Sequence, residues 1–190
     1  MKDILTGNLV RLAAFDPEEV GKAFSGWSRD SEYWRLMDAG PISLHSIKEA
    51  AKHFEKEIEE LAPGVYFFAI RRLADDVLIG EMVLSVVNWS GRDAFVGLSI
   101  GERDNWSKGY GTDMMKVLLR FAFTEINLWR VSLGVFEYNP RAIRSYEKAG
   151  FHHEGRQRGF LHREGKRWDM LFMGILRDEW VQMQKEEKDQ

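Results

Sequence analysis

The chain has 190 residues, 44% of them hydrophobic, which is enough for one sizeable core and short for two. Its formal net charge is −3 and its Lys and Arg residues are spread along the chain, which argues against a nucleic-acid-binding surface. The absence of Cys excludes disulfides, thiolate metal ligands and a Cys nucleophile, and it suits a reducing cytosol. We therefore expect one soluble, cytoplasmic domain over residues 1–190, with no membrane span and a short charged tail from about residue 182.

The first part of the chain predicts one strand followed by helical segments. The strand covers residues 8–15, and the helical segments cover about 17–27, 32–37 and 46–61. Asp16, Pro17 and Glu19 form a helix start, with an Asp cap, Pro in the first position and Glu three residues after the cap. Ser46 and Glu49 form a second capping box, and the sequence "APG" ends the helix that this box opens.

From residue 65 onwards the pattern changes to strands. The sequence predicts three consecutive strands at about 65–72, 77–87 and 93–101, followed by a long helix at about 110–126. A strand at about 129–136, a shorter helix at about 140–149 and a closing hairpin around the turn "REGK" come next. A meander followed by crossovers predicts an α+β fold: a mixed, mostly antiparallel central sheet with helices on both faces.

The third of these runs, residues 93–101, has an unusual alternation. One face would carry apolar side chains and the other almost no bulk: the first set is Ala94, Val96, Leu98 and Ile100, and the second is Phe95, Gly97, Ser99 and Gly101. Gly within a strand often marks close approach by a ligand or by another backbone. The strand therefore either borders a ligand or is tightly covered by a helix.

The segment "NWSKGYGTD", residues 105–113, places Gly109 and Gly111 directly before the long apolar helix. Unsatisfied N–H groups at a helix start, opened by glycines, can bind a phosphate. The segment lacks both the P-loop pattern and the third glycine of a dinucleotide-binding fingerprint. On its own, a G-x-G pair favours a plain turn.

Residues 99–123 nevertheless resemble the acetyl-CoA-binding motif of the GNAT superfamily of N-acetyltransferases. Gly109 and Gly111 match its core, [Q/R]-x-x-G-x-[G/A], with Trp106 in the first position. A second family motif follows as "NPRAIRSYEKAGF", residues 139–151, and the closing hairpin is similar to that of the ribosomal-protein N-terminal and spermidine acetyltransferase branch. The resemblance implies direct transfer of an acetyl group from acetyl-CoA to a primary amine, which is a protein N-terminus, a polyamine or another small amine.

The resemblance also implies which residues hold the donor. The pantetheine arm would lie along Leu98, Ser99 and Ile100. The pyrophosphate would rest on the backbone of Lys108, Gly109, Tyr110, Gly111 and Thr112, with Arg103 and Lys108 replacing the absent motif arginine. Asn139 matches a donor-binding Asn and Tyr146 the general acid that protonates the leaving thiolate. Without the motif, Asn139 reads as a helix cap and Tyr146 as a core aromatic.

The general base and the acceptor pocket are less well defined by the sequence. Many relatives carry Glu on the fourth strand, where this chain has Phe95, so we select Glu81 as the base, with Glu102 and Glu137 as alternatives. Tyr33 and Trp34 either line the acceptor pocket or pack in the core. The five His residues have no metal-ligand spacing, so no metal is expected, and a homodimer is compatible with the sequence. The alternatives are an acyl-CoA sensor without transferase activity and a site for another phosphate ligand.

Overall fold

The computed structural model describes residues 3–186, which form a seven-stranded sheet with helices on both faces. The strands are β1 (Val10–Ala13), β2 (Val65–Arg72), β3 (Leu78–Asn88), β4 (Asp93–Ile100), β5 (Arg130–Phe136), β6 (His152–Arg163) and β7 (Lys166–Leu176). The helices are α1 (Pro17–Trp27), α2 (Ser31–Met37), α3 (Ile47–Glu59), α4 (Tyr110–Thr124), α5 (Pro140–Lys148) and α6 (Arg177–Glu186). The predicted α+β class with a mixed, mostly antiparallel sheet is confirmed.

The sheet has the order β1-β2-β3-β4-β5-β7-β6, and β4 with β5 is its parallel pair. These two strands pair only from Asp93 and Arg130 to Phe95 and Ser132. Beyond Phe95, β4 continues along β3 while β5 continues along β7. The sheet therefore opens between β4 and β5, at the position where the sequence places its ligand-bordering strand.

Two hydrophobic cores cover the two faces of the sheet. Ile70 belongs to the core built around α4 and α5, and its neighbour Ala69 belongs to the core built by α1, α2 and α3. Because successive strand residues point to opposite faces, these cores lie on opposite sides of the sheet. The opening between β4 and β5 thus connects the α4–α5 side with the α2 side.

The predicted helix starts are confirmed in atomic detail. Asp16 accepts hydrogen bonds from the N–H groups of Glu18 and Glu19 at the start of α1. Ser46 and Glu49 form the reciprocal capping box at the start of α3. Each cap satisfies N–H groups that would otherwise lack an acceptor, which explains why these boundaries could be recognised in the sequence.

The first strand starts later than predicted, and part of the predicted tail lies outside the described residues. β1 begins at Val10 and not at residue 8, because the N–H groups of Asn8, Leu9 and Val10 donate to the Asp113 carboxylate. The predicted tail from residue 182 starts inside α6, and its residues 187–190 lie outside the described part of the chain. In the described part, no helix combines the length and apolarity required to cross a membrane.

Candidate active site

A cleft of about 400 Å³ occupies the opening between β4 and β5. On one side it is bordered by α4 and α5, and on the other by α2. β4 contributes the residues from Val96 to Ile100, and β5 contributes those from Gly134 to Phe136. Because pairing of β4 with β5 ends at Phe95, the β4 edge in the cleft has backbone groups available for another extended chain.

The glycine segment forms the α4 side of this cleft. Gly109 is the N-cap of α4, has φ of +87°, and gives the helix no side-chain cap. A Cβ on Gly111 would lie 2.9 Å from Ser145 Oγ on α5, so a side chain here would fill the space between the helices. Thr112 Oγ1 lies 3.0 Å from the same Ser145 hydroxyl and links the first turn of α4 to the second half of α5. The uncapped, positively polarised end of α4 therefore faces the cleft, as an anion site requires.

Trp106 and Arg141 sit together at this end. The Trp106 indole donates a hydrogen bond from Nε1 to the carbonyl oxygen of Ile100 (2.9 Å), and the Arg141 guanidinium lies 3.8 Å from the ring centroid. Burial lowers the pKa of Arg141, and the positive charges of Arg103 and Arg144 act in the same direction. Arg141 thus places a cation beside the residue that occupies the position of the motif arginine.

Tyr146 extends from α5 into the cleft and is 92% buried, with a relative exposure of 8%. Its ring contacts Phe151, and burial alone raises the pKa of its hydroxyl to about 12. No hydrogen bond contributes to this shift within the described structure. Tyr146 therefore remains protonated at neutral pH, with its hydroxyl free to donate into the cleft.

A chain of three polar side chains lies on the α2 side of β4. The Ser99 hydroxyl donates to Glu81 Oε1 on the neighbouring strand (2.8 Å), and the Tyr33 hydroxyl lies 2.9 Å from Ser99 Oγ. Because the Ser99 proton is directed at Glu81, Tyr33 is the donor of the second bond. Burial raises the pKa of Glu81 to about 7, the charge of Glu57 adds to the effect, and the Ser99 bond opposes it. Burial also raises the pKa of Tyr33, so its hydroxyl stays neutral.

The rest of the α2 side is apolar. Leu36 and Met37 of α2 face Phe136 of β5 and Met170 of β7 across the cleft. Phe136 stacks on Tyr138 with ring centroids 5.1 Å apart and planes within 8° of parallel. Tyr138 in turn donates a hydrogen bond to the carbonyl oxygen of Arg35, which joins the end of β5 to α2 (2.7 Å).

Most of the residues selected from the sequence line this cleft: Tyr33, Leu98, Ser99, Ile100, Gly109, Tyr110, Gly111, Thr112, Asn139 and Tyr146. Asn139 caps α5 by accepting the N–H of Ala142 (3.1 Å), which leaves its amide NH₂ group for a ligand. Glu81 lies one hydrogen bond behind the lining, through Ser99.

Besides Glu81, three selected residues lie outside the lining. Arg103 is bound by the carboxylates of Asp30 and Glu32. Lys108 is exposed to solvent, and Trp34 packs in the α1–α3 core with its Nε1 donating to the carbonyl oxygen of Pro41 (2.8 Å).

Several lining residues were not selected from the sequence. They include Leu36, Met37, Gly134, Phe136, Arg141, Arg144, Ser145 and Met170. Arg141 and Arg144 were recognisable, because they lie in the same motif segment as Asn139 and Tyr146. The apolar residues are indistinguishable in sequence from core residues, since only the separation of β4 and β5 exposes them to the cleft.

Comparison with known proteins identifies the family. The acetyltransferase (GNAT) domain model matches residues 10–152. The spermidine N(1)-acetyltransferase of Vibrio cholerae is 30% identical over 145 residues, which covers 74% of this chain and 83% of the relative. An uncharacterised, prophage-derived N-acetyltransferase of Bacillus subtilis, YokL, is 28% identical over 176 residues, covering 92% and 94% of the two chains.

The fold comparison agrees. The crystal structure of spermidine N-acetyltransferase from Vibrio cholerae in complex with CoA and spermine superimposes with a TM-score of 0.77 at 22% identity, covering 90% of this chain and 98% of the other. The chain belongs to the GNAT family of acetyltransferases. It is accordingly an acetyl-CoA-dependent N-acyltransferase, and the sensor alternative finds no support in these relatives.

Metal binding stays a separate question. Among residues 3–186, no group of three or more His, Asp or Glu side chains has the arrangement of a metal site. A structure of the Vibrio cholerae spermidine/spermine acetyltransferase in complex with manganese ions is among the similar folds. The expected absence of a metal therefore stays a prediction.

Proposed function

We propose that this protein acetylates a primary amine by direct attack on acetyl-CoA bound between β4 and β5. The observation that carries the proposal is the cleft itself, because it joins an uncapped helix N-terminus to a buried Tyr hydroxyl and a carboxyl-linked Ser. A polyamine, a protein N-terminus and another small amine are all candidate acceptors; the relative from Vibrio cholerae, named as a spermidine acetyltransferase, supports the first.

The donor would be held along its whole length by backbone groups. The β4 edge at Leu98, Ser99 and Ile100 is not paired with β5, and its backbone groups other than the Ile100 carbonyl, which accepts from Trp106, suit the amides of the pantetheine arm as a short added strand. The N–H groups from Lys108 to Thr112 suit the pyrophosphate, because the helix dipole favours negative charge there.

Two side chains would strengthen the binding of the donor. The Arg141 guanidinium lies beside Trp106 and supplies a full positive charge near the glycine segment. The Asn139 amide is available because its oxygen, and not its nitrogen, caps α5. Arg103 is less suited to this role, since Asp30 and Glu32 already neutralise it.

The attacking amine must first lose a proton, and Glu81 would receive it through Ser99. Ser99 Oγ has a second lone pair with which to accept an N–H from an amine in the cleft, while its own proton is directed at Glu81. A pKa of about 7 suits a base that works near neutral pH. Tyr33 would hold the Ser99 hydroxyl in this orientation.

Acetyl-CoA supplies the acetyl group as a reactive thioester. The amine nitrogen forms a bond to the carbonyl carbon, and the carbon–sulfur bond breaks. Tyr146 would donate its hydroxyl proton to the departing sulfur, because it is protonated at neutral pH and lines the cleft. The acetylated nitrogen then loses its remaining extra proton to give the neutral amide, and that proton restores the Tyr146 phenol.

The test combines binding and turnover. Calorimetry with CoA and with ATP should show binding of CoA alone, and incubation with acetyl-CoA and an amine panel should release the free thiol in proportion to acetylated amine. CoA binding without amine-dependent thiol release would instead support the sensor. Equal binding of ATP would contradict the assignment of the glycine segment to CoA.

A further inference from the structure

The α2 end of the cleft, where the acceptor would enter, is lined by hydrocarbon. Leu36, Met37, Phe136 and Met170 supply the side chains here. Gly97 and Gly134 supply only backbone. An apolar group placed against these side chains would remove hydrocarbon surface from water on both partners, which favours binding.

Carboxylates are missing from this lining within the described chain, and those in its vicinity are already engaged. Glu164 pairs with Arg35, and Glu32 pairs with Arg103 (2.6 Å). Arg35 offsets the charge of Glu164, whereas Arg103 is shared by Asp30 and Glu32, so that cluster keeps one net negative charge, outside the lining of the cleft.

Two carboxylates at the β5–β7 side, Asp169 and Glu137, share the single cation Arg156 and also accept backbone N–H groups, and neither lines the cleft. Asp169 accepts a hydrogen bond from the N–H of Gly159 (2.8 Å) and pairs with Arg156 at 3.2 Å. Glu137 accepts the N–H of Asp169 (3.0 Å) and lies 3.5 Å from the same Arg156.

A positive charge also lies directly behind this end of the cleft. The Arg163 guanidinium donates to the Tyr138 hydroxyl and to the Arg35 carbonyl, both at 2.8 Å, and to the carbonyls of Asp38 and Gly40, both at 3.3 Å. All of these acceptors are neutral, so they bind the cation without cancelling its charge. Since Tyr138 stacks on the Phe136 ring that lines the cleft, this charge would repel a second ammonium group.

We propose that the acceptor is a primary amine with a single positive charge carried on an apolar body, such as an arylalkylamine, and that polyamines are poor substrates. This inference rests on the proposed function, because it assigns the acceptor to the α2 end of the same cleft. The reacting nitrogen loses its proton towards Ser99 and Glu81, so its own charge needs no further partner. A polyamine would bring one or more additional ammonium groups into an apolar space without a free carboxylate, which is costly.

Two measurements with the full chain test the proposal. The first compares kcat/KM for 2-phenylethylamine, spermidine and putrescine with acetyl-CoA saturating, and we expect at least a tenfold preference for 2-phenylethylamine. The second compares the Kd of two conjugates in which an acetyl bridge joins the CoA sulfur to the nitrogen of 2-phenylethylamine or of spermidine. The 2-phenylethylamine conjugate should bind more tightly than both CoA and the spermidine conjugate.

A matched pair of variants isolates the charge. Met37→Glu adds a carboxylate to the apolar end and should shift the kcat/KM ratio at least tenfold towards spermidine. Met37→Gln has the same length without the charge and should shift the ratio much less. Equal shifts in the two variants would contradict the electrostatic explanation.

The outcomes separate this proposal from the proposed function. Equal or higher kcat/KM for spermidine, or tighter binding of its conjugate, overturns the apolar-acceptor proposal while transferase activity stands. Conjugates that bind no more tightly than CoA overturn the assignment of the acceptor to the α2 end. If neither amine is acetylated but the 2-phenylethylamine conjugate binds more tightly, the proposed catalysis fails and the acceptor preference is supported.

Discussion

Replacing Glu81 by Gln removes the proton acceptor and keeps a carbonyl oxygen that can accept the Ser99 hydrogen bond. With a pKa of about 7, roughly one Glu81 carboxyl in eleven is ionised at pH 6 and ten in eleven at pH 8, a rise of about tenfold. With the ordinary value of 4.5, the same interval would change the ionised fraction by only roughly 3%. A positioned base contributes about 10²- to 10⁴-fold to the rate, so we expect Glu81→Gln to lower kcat/KM by about a hundredfold at pH 8.

The pH dependence must be separated from ionisation of the substrate amine, which also favours reaction at high pH. We therefore predict the ratio of wild-type to Glu81→Gln kcat/KM for one amine at each pH, because the substrate term cancels. This ratio should rise about tenfold between pH 6 and pH 8 and then level off. A ratio that is constant from pH 6 to pH 9 would refute Glu81 as the base.

The pH dependence of protein stability provides a second, independent test of the raised Glu81 pKa. The folded-state pKa of Glu81 is raised, so folding favours the neutral carboxyl, and stability falls as the pH rises from about 4.5 through 7. The Glu81→Gln variant does not lose stability in this way. Its free energy of unfolding should therefore increase relative to that of the wild type by at most about 3 kcal/mol between pH 5 and pH 8. Urea unfolding at the two pH values measures the difference, and parallel behaviour of the two proteins would contradict burial of the carboxyl.

Three further outcomes are expected. Tyr146→Phe should lower kcat by about 10²-fold or more while the Kd of acetyl-CoA measured by calorimetry stays nearly unchanged, because the hydroxyl acts on the leaving thiolate; full activity would exclude it as the acid. Arg141→Ala should raise the KM for acetyl-CoA about tenfold through loss of a charged contact. Lys52→Ala removes an exposed cation on α3 and should leave the KM unchanged, so equal effects of the two substitutions would argue against a specific site. Asp113→Asn should lower the free energy of unfolding by about 2–3 kcal/mol in urea, since the carboxylate accepts N–H groups of Asn8, Leu9 and Val10; an unchanged midpoint would show that these bonds contribute little.

Local sequence patterns predicted the helices and strands because each pattern depends on residues that are close together in the sequence. The Ser46–Glu49 box, for example, joins residues three apart, so its partners are visible in one short stretch. The glycine segment was recognisable for a similar reason, as Gly109 is the N-cap of α4 and Gly111 lies in its first turn.

The cleft could not be predicted in the same way, because it depends on strand pairing. The chain of Tyr33, Ser99 and Glu81 joins residues up to 66 positions apart, and it forms because Ser99 and Glu81 are register partners on β4 and β3. The strand pattern suggested that the face carrying Ser99 borders the ligand, and Gly97 and Ser99 do line the cleft; it gave no sign that the cleft opens at the edge of β4, where β5 turns away. Arg103 likewise pairs with Asp30, which lies 73 residues earlier in the chain, and no local pattern indicates this pairing.

The Asp113 carboxylate has a consequence for how the chain comes together during synthesis. Its partners at residues 8–10 precede it by 103 to 105 positions, so the ribosome makes the N-terminal strand long before its anchor exists. At typical translation rates this interval is roughly 5–20 s, during which the N–H groups of Leu9 and Val10 must be satisfied by water or by other partners. β2 is made first and can pair with β1, and α4 then brings the Asp113 carboxylate to residues 8–10. Translation speed over residues 11–113 should accordingly influence the yield of folded enzyme more than speed over the remaining chain.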